Sequence, residues 1–189
     1  LSDDIAYHNH DIDDGLRAGL FTIDDLHAVP EVGQVFGEVT ERYPGLPLNR
    51  LIHESVRRLI HRMCTDLQRQ TAENIRRAGI ESVDQVRSLP RPLVGFSPEM
   101  EDVNRRLKAF LMENMYRHYQ VNRMSSRARR VVKELFAFFH AEPECLPTEW
   151  RSLTDASGTP RTAVAVADYI AGMTDRYAMR EYRRLFEMA

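Results

Sequence analysis

Apolar residues recur along this chain at three- and four-residue steps and almost never in strict alternation, so the pattern predicts helices and no sheet. Residues 2–18 read as a first helix carrying Ile5, Ile12 and Leu16 and ending near Gly19. Phe21-Thr22 offers a cap before IDDLHAV, and residues 31–43 form a further segment closed by Pro44-Gly45. From Pro47 to Ala78 a long helix is expected, with Leu48, Leu51, Ile52, Leu59, Ile60, Met63, Leu67 and Ile75 in register. Pro47 suits its first turn and Gly79 its end. A short capped helix over 82–89 precedes the Pro90/Pro92 loop, and Ser97-Pro98-Glu99 opens a helical pattern that persists to His140. That run is too long for one uninterrupted helix, and a bend is expected near Asn122–Ser126. The last helix is expected from Thr159 to Phe186, with Val166, Ile170, Met173 and Tyr177 on one stripe. Helices of such unequal length predict an all-α, multi-layer packing, not an up-down bundle.

Composition narrows the function classes. With 189 residues, 43% hydrophobic and 29% charged, the chain is long enough for one ordinary domain or two small ones. No run of eighteen apolar residues exists, so no membrane span is expected. The net charge of -2 removes the simplest argument for a nucleic-acid binder. Cys64 and Cys145 are too few for a disulfide scaffold and too far apart for a zinc motif, which fits a reducing, cytoplasmic setting. Of 26 basic residues only Lys108 and Lys133 are lysine, which leaves 24 arginines. Arginine suits phosphate and carboxylate, although codon bias gives the same composition. The chain opens at Leu1 inside a helical pattern with no signal sequence, and the expectation is a truncated or proteolysed product.

The first helix carries the densest chemistry. Asp3, Tyr7 and Asp11 are spaced i, i+4, i+8; four residues advance a helix by about 6 Å and roughly 40° beyond a full turn, so they form a slanting row. Asp4, Asp13 and Asp14 add negative charge, and like charges so close repel. A cation, or a substrate bridged by one, would relieve that repulsion. Carboxylates favoured by the helix dipole and facing water are the other reading. His8 and His10 lie two apart, on different faces, and cannot both ligate one ion.

The stretch DDIAYHNHDIDD over residues 3–14 resembles the D-x-I-A-Y-x-x-H-D-x-x-D segment of deoxyguanosinetriphosphate triphosphohydrolase-like proteins, members of the HD-domain superfamily. The resemblance continues through YRHYQV at 116–121 and DYIAGMTDRYA at 168–178, in the family's order and across nearly the whole chain. It implies an HD-domain-like helical fold truncated at its N-terminus: residues 1–20 as the last active-site helix of the HD core and 21–189 as a C-terminal helical region. It also implies hydrolysis of a deoxynucleoside triphosphate to deoxynucleoside and tripolyphosphate, dependent on a divalent metal (Mg, Mn or Fe).

By the same resemblance Asp3 is a metal ligand, Tyr7 packs beneath the deoxyribose, and Asp11 accepts its 3′-hydroxyl. Tyr116 lies near sugar and base, with Arg117 or His118 facing phosphate or sugar. A carboxylate bonded to a sugar hydroxyl rejects analogues lacking it, and a ring against the 2′ carbon leaves little room for a ribose hydroxyl. The family's upstream His and His-Asp ligands and its upstream catalytic His or Glu residues have no counterpart here. No catalytic residue is therefore assigned in this chain, which is expected to be inactive alone and not to retain the metal. Self-association is expected of the intact protein. The cluster Arg123, Arg127, Arg129 and Arg130 could meet triphosphate, a regulatory nucleotide or single-stranded nucleic acid, or form a solvated face. The DYIAGMTDRYA block reads as structural, with Ala167, Ala171 and Gly172 allowing close helix packing and Asp175–Arg176 an internal polar tie. The rival to the enzyme is a non-enzymatic helical regulatory module that senses nucleotide or nucleic acid. Convergence of Asp3, Tyr7 and Asp11 on one cleft would favour the enzyme.

Overall fold

The computed structural model describes residues 1–187. Among them are nine α-helices and no strand, as the periodicity predicts. The chain divides into two compact units, Leu1–His118 and Tyr119–Ala189. The first helix packs within the first unit.

In the first unit, α1 (Ser2–Arg17) lies against α3 (Leu48–Ala78) and α5 (Pro98–Leu111), and α2 (Pro30–Arg42) covers α3. A 3-10 turn at Asp24–Ala28 leads into α2, and a short α4 (Val83–Ser88) lies outside the buried core. The core joins Ile5, Ile12 and Leu16 of α1 to Phe36 of α2, Ile52, Leu59 and Met63 of α3, and Leu107 and Leu111 of α5. Each such side chain contributes about 1.5–3 kcal/mol when fully buried.

The helix ends follow local chemistry. Gly79 closes α3 in the left-handed conformation at φ 61°, which a side chain would strain. Ser82 and Gln85 form a reciprocal capping box on α4. Ser97 caps α5 by accepting the Met100 amide, with Pro98 in the first turn. The buried Asp66 of α3 accepts the Ser97 amide at 2.8 Å, which fixes where α5 begins.

The second unit packs α6 (Tyr119–Ala141) against α8 (Pro160–Ala171) and α9 (Asp175–Phe186), and the short α7 (Thr148–Arg151) touches α8. Val131, Leu135, Phe139, Val166 and Tyr169 form its core. Phe139 meets Tyr169 edge-on at 5.5 Å, and the Tyr182 hydroxyl donates to Glu134.

Four expectations need correction. The expected bend near Asn122–Ser126 falls earlier: α5 passes into a π turn at Met112–Tyr116, and α6 starts at Tyr119. The expected helix from Thr159 to Phe186 is two helices, because Thr174 accepts the Tyr177 amide and so caps a new one. Gly172 terminates α8 and is exposed, as are Ala167 and Ala171; a Cβ on Gly172 would meet only its own helix backbone, no nearer than 3.5 Å. Close helix packing is therefore not its role. Asp175 and Arg176 are likewise exposed, and no bond joins them among the described residues. The stripe Val166, Ile170, Met173 and Tyr177 nevertheless packs on the second core across the break.

Candidate active site

The site is built where α1 and α5 run side by side. Ile5, Asn9, Ile12 and Leu16 turn one face of α1 into the core. Asn9 is fully buried, and its amide donates to the Ile5 carbonyl at 2.8 Å and to the Met63 sulfur at 3.1 Å. That fixes the rotation of α1 against α3 and turns the neighbouring row of Asp3, Tyr7 and Asp11 toward α5.

Gly15 sets the approach of the two helices. A Cβ there would lie 2.2 Å from Cε1 of Phe21, so only glycine lets the Phe21 ring rest on α1. That ring meets Phe110 of α5 edge-on, with centroids 5.1 Å apart. Phe21 thus joins both helices.

The cleft has a volume of about 350 Å³. Asp3, Asp4, Tyr7, His8 and Asp11 line it from α1. Lys108, Leu111, Met112 and Tyr116 line it from α5 and the π turn. A π turn closes i to i+5, as the Arg117 amide does on the Met112 carbonyl at 3.0 Å. Five residues of regular α-helix would carry Tyr116 about 140° away from Leu111. The widened turn brings it back to the cleft.

There the Tyr116 hydroxyl donates a short hydrogen bond to Oδ2 of Asp11, a carboxylate only 8% exposed. The Tyr7 and Tyr116 rings lie within 6° of parallel, with centroids 6.4 Å apart. Burial first, then the bonds to Asp11 and Tyr7, pushes the Tyr116 phenol above its ordinary value, so it stays protonated and donates. Tyr7 is 53% exposed and Asp3 is exposed, so both remain accessible to what enters the cleft.

Four of the expected site residues, Asp3, Tyr7, Asp11 and Tyr116, therefore share one cleft. Arg117 and His118 are not among the residues that line it: Arg117 is exposed and 3.3 Å from Glu113, and the His118 amide donates to the Met115 carbonyl. The arginine cluster belongs to the second unit, where Arg130 pairs with Glu134 and Arg123 lies 5.1 Å over the Tyr119 ring.

Lys108 is the charged cleft residue that the motifs did not mark. It is exposed, forms no ion pair among the described residues, and lines the cleft together with Asp3, Asp4 and Asp11. Its signal in the sequence was its rarity, one lysine of two in an arginine-rich chain.

The metal test is plain. Among the described residues, no group of three or more His, Cys, Asp or Glu side chains is arranged to hold an ion. Asp3, the expected ligand, has no such group around it among the described residues. No described helix is long and apolar enough to cross a membrane.

Comparison with known proteins finds relatives along the whole sequence. Residues 94–184 match the phosphohydrolase-associated domain. The chain is 54% identical over 188 residues to a deoxyguanosinetriphosphate triphosphohydrolase-like protein of Parvibaculum lavamentivorans, covering 100% of this chain and 48% of that protein. It is 48% identical over 189 residues to one of Caulobacter vibrioides, covering 100% of this chain and 48% of the relative. For one of Thiobacillus denitrificans the identity is 46% over 186 residues, 98% of this chain and 48% of the relative. The chain spans about half the length of the curated relatives it matches. Along its whole length the chain is therefore similar to about half of a deoxyguanosinetriphosphate triphosphohydrolase-like protein.

Proposed function

We propose that the longer protein to which this chain belongs hydrolyses deoxynucleoside triphosphates to deoxynucleoside and tripolyphosphate, and that the α1–α5 cleft is the sugar side of its active site. The observation that carries this reading is the convergence of Asp3, Tyr7, Asp11 and Tyr116 on one cleft, which a convex regulatory surface would not require. In the reaction, a water oxygen bonds to the α-phosphorus, the bond from that phosphorus to the 5′ oxygen breaks, and a proton passes to the 5′ oxygen.

This chain's part is binding and orientation. Asp11 accepts the 3′-hydroxyl, and the Tyr7 ring lies beneath the sugar, where a 2′-hydroxyl would crowd it. Lys108 offers its ammonium to the phosphates. Asp3 is offered as one ligand of a divalent metal (Mg, Mn or Fe) whose remaining ligands lie outside this chain. The chain alone is accordingly inactive, and the working form is a cytoplasmic homo-oligomer.

Phosphorus NMR of the full-length protein's products tests the reaction class. Tripolyphosphate supports it; orthophosphate or pyrophosphate as the first product contradicts it. For Lys108→Met in the full-length protein, KM for a deoxynucleoside triphosphate rises about tenfold, the worth of one charge-assisted contact. Steady-state kinetics checks it, and an unchanged KM removes Lys108 from the phosphate subsite.

A further inference from the structure

We propose that Tyr116 is a positioning residue of the sugar subsite: its hydroxyl holds one oxygen of the Asp11 carboxylate and leaves the other as acceptor for the substrate hydroxyl. This rests on the role given to Asp11 above and adds how that carboxylate is oriented.

Asp11 is largely buried and forms no ion pair among the described residues, and Tyr116 donates to its Oδ2. The carboxylate torsion of an aspartate is broad and nearly two-fold, so an unheld Asp11 would present either oxygen in a range of directions. One fixed donor on Oδ2 removes that freedom and aims Oδ1. No hydrogen bond from the described residues occupies Oδ1, and Asp11 lines the cleft, so that oxygen is the one a ligand can use.

The donor itself is held from several sides. The π turn brings Tyr116 onto the cleft face, and the near-parallel Tyr7 ring limits its tilt. A phenol has one proton, and here Asp11 receives it. Tyr116 therefore has no proton to give a sugar hydroxyl and acts on the substrate through Asp11. The geometry is preorganised, since no reorientation is needed when the sugar arrives.

The test uses the full-length protein and compares kcat/KM for a deoxynucleoside triphosphate with that for its 2′,3′-dideoxy counterpart. Wild type is expected to prefer the hydroxyl-bearing substrate about 10²–10⁴-fold, and Asp11→Ala to bring the ratio near unity. Tyr116→Phe keeps the ring and its packing and is expected to lower the ratio about tenfold. Added to Asp11→Ala, it is expected to change the ratio no further, because the two act as one unit.

A Tyr116→Phe ratio equal to wild type overturns the inference, as does an equal drop in the Asp11→Ala background, since either outcome makes Tyr116 a packing residue. Wild-type turnover without discrimination overturns the role of Asp11 and this inference with it. No turnover by folded wild type overturns the hydrolase reading. The comparison is then made on calorimetric affinities for deoxynucleoside and dideoxynucleoside, where equal values in wild type and Tyr116→Phe overturn the inference as well.

Discussion

Asp11→Ala in the full-length protein lowers kcat/KM for a deoxynucleoside triphosphate by about 10²–10³-fold while leaving the fold in place. Two losses combine. The substrate hydroxyl loses a charged acceptor, about 1.5–3 kcal/mol, and the Tyr116 hydroxyl loses its partner in a partly buried position, about 1–3 kcal/mol. Asp11 forms no ion pair among the described residues, so its removal strands no opposite charge, and the damage concentrates on binding and orientation. Kinetics beside a circular dichroism spectrum measures it. A folded variant with wild-type kcat/KM would remove Asp11 from the site.

Phe21→Ala has the largest expected effect on stability. Phe21 is 5% exposed, its ring fills the space that Gly15 leaves on α1, and it meets Phe110 on α5. Truncating such a ring costs about 3–5 kcal/mol, because the cavity collapses only in part. It also loosens the pair of helices that form the cleft, so activity falls with stability. Urea unfolding of wild type and variant reads this as a lower midpoint at similar slope. A shift worth less than about 1 kcal/mol would mean that Phe21 does not join α1 to α5 as described.

The elements most legible in the sequence are those whose ends are set by local chemistry. Gly79, Ser82 and Ser97-Pro98 act on residues within a turn of themselves, and α3, α4 and α5 begin or end there as expected. The break at Met112–His118 was not legible, since a π turn keeps an apolar, helix-like pattern and differs only in which carbonyl each amide reaches. The break at Thr174 is hidden because the apolar stripe runs on from Met173 to Tyr177, and the threonine shows its capping role only where the backbone turns extended. The short segments Pro143–Cys145 and Thr148–Arg151 are below the length at which periodicity is visible.

The site divides along the same line. Asp3, Tyr7 and Asp11 form a row because one helix spaces them, and that row is readable from four-residue steps alone. Tyr116 stands 105 residues from Asp11, so only the family resemblance pointed to it, and nothing local foretold its bond to that carboxylate. The resemblance also points to Arg117 and His118, which follow Tyr116 in the sequence. Neighbours in a helical turn face different ways, and Tyr116 alone of the three lines the cleft. Lys108 lies outside every motif and faces the cleft because α5 places it one turn before Leu111 and Met112.

The central claim is that this chain supplies the sugar-binding wall and one metal ligand of a triphosphohydrolase. Its most direct test is tripolyphosphate release by the full-length protein, with each deoxynucleoside triphosphate and Mg, Mn or Fe, beside Asp3→Ala. Release by wild type and its loss in folded Asp3→Ala is the predicted result. Folded wild type that releases no tripolyphosphate with any metal, or Asp3→Ala as active as wild type, would contradict the account.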